Sequence, residues 1–425
     1  MTIADASTED PSREPAGRPG GVPGRVWRAA GWLIGGRLFG SACTLLTLLV
    51  LAGHLSDPDF GRLTFWLSVF LVLDGVVDFG SGQVSLQRAA ADPRSAAANL
   101  RTARRARSIT ATLVVFGVVA ASAGFEEEDA AYLGVAALYH FSHVLELSTL
   151  GWKDRIAWRS PVLVRAGAAL TSLVLVLALA ATGEARPMPF LVAIAAGSTV
   201  GNLLLHRIGR RGLPPTRGVE AAPLGSFLAA SIPMGAAAVF QQLYFHVDNL
   251  FVRAQVGDEA VGQYNVAVRV MSLAIMGGVF ASSAALPWLA RADASGRGLS
   301  AALRLTAAST GVGVVVCLAL AALRDQVLAW FGAPFLAAST SLAYLLGAAL
   351  AVHVGAPLLT AVVAAGRSRA VLGIATSGLA VNLAGNALLV PDLGMEGAAM
   401  ATLVTEGVVA ALALASLLLG GSRRT

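Results

Sequence analysis

Apolar residues occupy this chain in long runs separated by short polar stretches, and the runs dictate the architecture. Twelve are long enough to consider: 30–53, 63–87, 107–124, 130–151, 161–182, 188–206, 226–252, 262–290, 302–323, 334–361, 369–390 and 396–420. A bilayer core takes about 20 apolar residues per helix. The pattern therefore predicts an all-α integral membrane protein with about twelve transmembrane helices. Residues 326–333 read as an interfacial lead-in to the tenth span.

The polar stretches alternate in charge. Residues 1–28, 88–106, 152–160, 207–225, 291–301, 362–368 and the C-terminus, with their span ends, hold 24 of the 31 basic residues. The opposite set holds the acidic run Glu126, Glu127, Glu128, Asp129. By the positive-inside rule both termini are expected in the cytoplasm. Residues 1–28, rich in Pro, Gly and charge, read as a disordered cytoplasmic tail. They do not read as a secretory signal, because the first apolar run is too long and no A-x-A-like site follows it.

A repeat divides the rest. GHLSDPDFGRLTFWLSV (53–69) aligns without a gap with AQVGDEAVGQYNVAVRV (254–270), an offset of 201 residues that pairs Asp57 with Asp258 and Gly61 with Gly262. The copies open spans 2 and 8. Six spans lie between them, so the two halves are parallel, as in transporters built from two lobes. The expected units are an N-lobe at 29–206, a cytoplasmic linker at 207–225, a C-lobe at 226–420 and a cytoplasmic C-terminus at 421–425.

Composition removes several function classes. The chain is 56% hydrophobic and 13% charged, about half the charge of a soluble domain. Its basic residues sit in short loops and form no basic face, so nucleic acid is not an expected partner. Cys43 and Cys317 fall inside apolar runs and read as small buried hydrophobes. There is no Gly-x-x-x-x-Gly-Lys-Ser/Thr loop. The short external loops leave no room for a sugar-transfer domain. The chain is thus expected not to be an enzyme, and to need no cofactor or metal beyond a coupling H⁺ or Na⁺.

Candidate chemistry lies where polarity interrupts the spans. FQQLYFHVDNLFVR (240–253) places Gln241, Tyr244, His246 and Asp248 in span 7. Gln241, Tyr244 and Asp248 share a helical face by spacing and are expected to line a cavity between the lobes. Alternatively, Asp248 snorkels and pairs with Arg253. The repeat supplies a control, because Tyr244, His246 and Asp248 correspond to Cys43, Leu45 and Thr47. The fold therefore needs no ionisable group there, and Thr47 can satisfy its hydroxyl on its own backbone. Asp74 and Asp78, one turn apart in span 2, read as a shared proton or cation site, or as helix–helix hydrogen bonding. Arg37 and Arg269, in spans 1 and 8, either bind an anion or snorkel. His140, His143 and Glu146 read as a structural stripe rather than a metal site. Glu406 lies deep in span 12 with no evident partner, and Arg165 reads as snorkelling.

Three stretches carry a family resemblance: LSDPDFGRLTFWLSVFLVLDGVVDFGSGQ (55–83), SIPMGAAAVFQQLYFHVDNLFVRAQVGDEAVGQYNVAVRV (231–270) and NLAGNALLVPDLGMEGAAMATLVTE (382–406). The chain resembles the polysaccharide or O-antigen flippases (Wzx type) of the multidrug/oligosaccharidyl-lipid/polysaccharide exporter superfamily. The resemblance implies two pseudo-symmetric six-helix lobes around a central cavity bordered by the first two helices of each lobe. It implies a polyprenyl-pyrophosphate-linked glycan as substrate, moved by alternating access for cell-surface polysaccharide biosynthesis, and that the membrane is the cytoplasmic (plasma) membrane. Arg37 and Arg269 would meet the pyrophosphate, Gln241, Tyr244 and His246 would line the cavity, and Asp74, Asp78 or Asp248 would exchange the coupling ion. Implied partners are the lipid bilayer, a polysaccharide polymerase and glycosyltransferases. The alternative on the same fold is a multidrug/cation antiporter.

Overall fold

The computed structural model describes residues 22–91, 96–124, 126–149, 159–209 and 223–421. These residues are helical throughout, without a strand. The first half contains α1 (Val22–Ala52), α2 (Asp57–Asp78), the short α3 (Ser81–Ala91), α4 (Ala96–Ser122), α5 (Glu127–His143), α6 (Arg159–Ala181) and α7 (Pro187–Gly209). The second half contains α8 (Leu224–His246), the short α9 (Asp248–Gln255), α10 (Asp258–Ala294), α11 (Gly298–Ala322), the short α12 (Arg324–Ala329), α13 (Ser339–Ala364) and α14 (Ser368–Gly421).

Ten stretches among the described residues are long and apolar enough to cross a membrane. The last one crosses twice, because α14 folds back at Gly394 (φ 57°, ψ −134°) just after Pro391. That left-handed turn is open to glycine and strained for other residues. The remaining crossing comes from α5 with the 3₁₀ turn Val144–Thr149. The count of about twelve in two six-helix halves follows.

Local sequence sets the interruptions. Ser56 caps α2 by accepting from the Asp59 N–H, Pro58 lies in the first turn, and Asp57 and Asp59 complement the helix dipole. The helix stops at Phe79 (φ 37°), and Gly80 (φ 72°) turns the chain into α3, so the run 63–87 is not one continuous helix. The run 226–252 is broken too: α8 ends at His246, and α9 restarts at Asp248. The lead-in at 326–333 becomes α12 and the start of a 3₁₀ turn, Ala333–Ala338. Residues 22–28, read as tail, are already helical. The rest of that tail, most of the linker and residues 422–425 lie outside the described residues.

The two repeat copies meet each other. Gly61 and Gly262 pack so closely that a Cβ on Gly262 would lie 3.0 Å from the Gly61 Cα, and one on Gly61 would collide with the Asp258 carbonyl. The Asn265 side chain donates to Thr64 Oγ1 at 3.3 Å. Both contacts join residues 201 positions apart. Equivalent positions touch when they lie on a two-fold axis, so the pseudo-two-fold axis of the repeat passes between α2 and α10 here.

Charge pairs surround this end. Arg62 pairs with Glu128, and lies 3.5 Å from Asp258 across the interface. Arg253 pairs with Asp258 at 2.7 Å and, across the interface, with Asp129 at 2.9 Å. Its guanidinium lies 4.5 Å from the Phe65 ring centre. Toward the opposite end two seams join the halves. The α2/α8 seam is tight: a Cβ on Gly80 would lie 2.8 Å from the Gly235 nitrogen, and Gln242 donates to the Leu71 carbonyl at 3.0 Å. The α1/α10 seam is looser. Ser41 reaches Met276 at 3.7 Å, but a Cβ on Gly35, Gly40 or Gly277 would meet no atom within 4 Å.

Candidate functional site

A cavity of about 300 Å³ lies on the pseudo-two-fold axis. Its walls come from α1, α2, α8 and α10, the first two membrane helices of each half. Equivalent positions face one another across it: Thr64 and Asn265, Leu67 and Val268, Ser68 and Arg269, Leu71 and Ser272. A polar floor closes it toward the Gly61–Gly262 contact. Asn249 donates to Ser68 Oγ at 3.0 Å, and the Ser68 hydroxyl lies 3.3 Å from Asn265 Oδ1.

Arg269 is the charged residue in this wall. Its guanidinium makes no hydrogen bond or ion pair with any described residue. His246 lines the same cavity, lies within Coulombic reach of Arg269, and has an unpartnered Nδ1. A buried cation without a counter-ion is costly, and a guanidinium matches the geometry of phosphate oxygens. The cavity wall therefore carries a guanidinium whose charge no lining residue balances. Arg37 lies outside its walls. It is exposed in the α1/α10 seam, 5.6 Å from the Phe280 ring centre. Phe280 is eleven residues beyond Arg269 on α10, or ~16 Å along the axis.

The polar stripe expected in span 7 does not face the cavity as one surface. Gln242, Phe245 and His246 do. Tyr244 and Asp248 point into the second half and are buried, and Gln241 is exposed on the flank. The reason is the set of partners that the second half offers to Asp248. Its carboxylate accepts from Thr402 Oγ1 (2.6 Å), Asn386 Nδ2 (2.7 Å) and Tyr264 OH (2.8 Å), with Asn382 alongside through its 3.2 Å contact to Asn386. Asp248 therefore does not snorkel to Arg253, which is committed to Asp129 and Asp258. Its repeat counterpart Thr47 donates to the Cys43 carbonyl at 2.9 Å, self-satisfied as the sequence implies.

Asp74 and Asp78 do not form one shared site. Asp74 Oδ1 lies 2.7 Å from His143 Nδ1 and 3.1 Å from His140 Nε2. Asp78 pairs with the buried Arg107, which also reaches Glu146 at 3.5 Å and the His143 carbonyl at 3.1 Å. Glu146 meets Arg165 at 2.6 Å, so Arg165 belongs to this network. The His140–His143 stripe is what Asp74 pairs with. Sequence reasoning held both halves of that pair and lacked only the packing of α5 on α2. It missed Tyr264, Asn386 and Thr402 as partners of Asp248, although the last two lie within the segment 382–406. Among the described residues no group of His, Cys, Asp and Glu has the arrangement of a metal site.

Comparisons with known proteins agree with this geometry. The family model described as polysaccharide biosynthesis protein matches residues 26–293. No curated protein matches the chain. Among solved structures, an outward-facing multidrug resistance MATE family transporter of the MOP superfamily is 14% identical, with a TM-score of 0.71 over 94% of this chain and 96% of that one. A MOP superfamily transporter from Pyrococcus furiosus, whose binding pocket is described as reversed in polarity, matches at 14% identity and TM-score 0.71 over 94% and 95%. The lipid II flippase MurJ in an inward closed conformation matches at 13% identity and TM-score 0.68 over 90% and 87%. The chain belongs to the polysaccharide biosynthesis protein family and is a multi-pass membrane protein with the fold of the MOP superfamily transporters.

Proposed function

We propose that the protein is a flippase that carries a polyprenyl-pyrophosphate-linked oligosaccharide across the cytoplasmic membrane by alternating access. The observation that carries the reading is the unpaired Arg269 guanidinium in the inter-lobe cavity. The cavity offers no carboxylate to balance it: Asp74 and Asp78 are tied to His and Arg partners, and Asp248 is buried away from it. An anionic head group supplies the missing charge. A cationic drug, the substrate class of an antiporter on this fold, would face repulsion.

The cavity is at the small end of ligand pockets, about 300 Å³, which suits a pyrophosphate with its first sugar. The loosely packed α1/α10 seam gives a polyprenyl chain a route to stay in lipid, with Arg37 along it. With the termini cytoplasmic by the positive-inside rule, the Gly61–Gly262 end is external and closed. Asp248, held by neutral donors and no cation, is the coupling carboxylate on this reading, taking H⁺ or Na⁺ to bias the lobes. The units are an N-lobe at 29–206 and a C-lobe at 226–420.

The test is the sidedness of lipid-linked glycan in cells depleted of the protein. Accumulation on the cytoplasmic face, reversed by the wild-type chain, is expected. Normal sidedness with altered sensitivity to cationic drugs would assign the antiporter class instead.

A further inference from the structure

The C-lobe holds a second buried carboxylate that the cavity does not use. Glu406, on the second arm of α14, is 4% exposed, and its Oε1 has no hydrogen-bond partner. The titratable group that faces it is Tyr244 of α8, itself 3% exposed. No charged side chain of the helices packed around it, α8, α10, α13 or the first arm of α14, acts on it. The Tyr244 ring lies against that first arm at Gly378, and its hydroxyl also interacts with Gln241.

Glu406 is placed in register with the Asp248 cluster. Tyr244 precedes Asp248 by four residues on a chain running one way, and Glu406 follows Thr402 by four on a helix running the other way. Asp248–Thr402 and Tyr244–Glu406 are thus two rungs between the same elements, about 6 Å apart along the axes. The rungs differ in chemistry. Asp248 sits among the hydroxyls of Thr402 and Tyr264 and the Asn386 amide nitrogen, with the Asn382 amide oxygen beside it. Glu406 has one phenol. A hard metal cation needs several oxygen ligands, which this second rung does not supply. A carboxylate at this depth without a counter-ion is costly, and a proton meets that need alone.

We infer that Glu406, with Tyr244, is a second proton-binding site of the C-lobe, stacked on the Asp248 site and reached from the exposed flank of α8 at Gln241. The carboxylate oxygen takes up the proton from water, and the phenol hydroxyl donates to the other oxygen. The C-lobe then has room for two positive charges, one at each rung, rather than one.

Infrared difference spectroscopy of the purified full chain in lipid nanodiscs reads this directly, without substrate. The wild type is expected to show a protonated-carboxyl stretching band at neutral pH that shifts in D₂O. Glu406→Gln should remove that band, and Asp248→Asn should leave it. Tyr244→Phe, which keeps the ring packing, should shift its frequency without abolishing it. A Glu406→Gln spectrum identical to wild type, or a band that does not shift in D₂O, overturns the proposal. Because no glycan enters the assay, its failure leaves the flippase reading untouched, and failure of that reading leaves this site in place.

Discussion

The two walls of the cavity derive from one repeat, and their difference separates what the scaffold requires from what it does not. Leu67 faces Val268 and both are apolar, as packing alone requires. Elsewhere the C-lobe member is the more polar: Arg269 against Ser68, and Ser272 against Leu71. The contrast continues behind the wall. Asp248 and Tyr264 form a hydrogen-bonded pair at 2.8 Å, whereas their counterparts Thr47 and Leu63 are buried with no charge between them. The N-lobe folds the same way without these groups, so the scaffold does not demand them. Membrane helices bury ionisable groups at a cost. A cost carried by one copy of a repeat and not by the other points to function in the copy that bears it.

The N-lobe has its own charges, arranged differently. Asp74, His140, His143, Asp78, Arg107, Glu146 and Arg165 form a network in which each carboxylate has a cationic or imidazole partner. The C-lobe carboxylates Asp248 and Glu406 have only neutral partners. The N-lobe network thus balances its charges internally, while the C-lobe acids have no cationic partner among the described residues.

The largest effect is expected where the two walls touch. Gly61→Val places side-chain atoms on the Asp258 backbone, which cannot yield as a flexible side chain would. Overpacking of ~3 kcal/mol at this closure corresponds to about a 100-fold loss of glycan export, measured by rescue of depleted cells. Stability of the purified protein should fall less, because the strain is relieved when the end opens. An intermediate effect tests the asymmetry itself. Asp248→Asn is expected to abolish the dependence of transport on H⁺ or Na⁺ while leaving thermal stability within ~1 kcal/mol of wild type, because removing an uncompensated buried charge relieves as much as it costs. Coupling that survives in Asp248→Asn would place the coupling ion elsewhere. The smallest effect should come from the matched N-lobe change. Thr47→Val loses one hydroxyl bonded to its own helix, so stability should drop by about 1 kcal/mol or less with transport unchanged.

Much of this was legible in the sequence. Length and apolarity give the twelve crossings, and the 201-residue offset gives the two halves and the equivalence of Gly61 and Gly262, though not their contact. For Arg269 the sequence left anion binding and snorkelling open, and the packing of α10 against α2 places it in the cavity wall. What stayed hidden depended on helix rotation and on packing. Tyr244 and Asp248 share a face as their spacing implies, but α14 packs against that face, which therefore points into the second half and not at the cavity. Asp74 and Asp78 share a face, yet α5 and α4 claim them separately. Partners far apart in the chain, such as His140 for Asp74, leave no local periodicity to detect.

The central claim is that an unpaired guanidinium in the C-lobe wall captures an anionic lipid head group. The most direct measurement is binding of a polyprenyl pyrophosphate to the purified protein, comparing wild type with Arg269→Ala and Arg269→Lys. A charge-assisted contact is worth about 1.5–3 kcal/mol. Arg269→Ala should therefore bind about 10- to 100-fold more weakly, with Arg269→Lys between the two because it keeps the charge and loses the planar fork. Equal affinity in all three proteins would contradict the account.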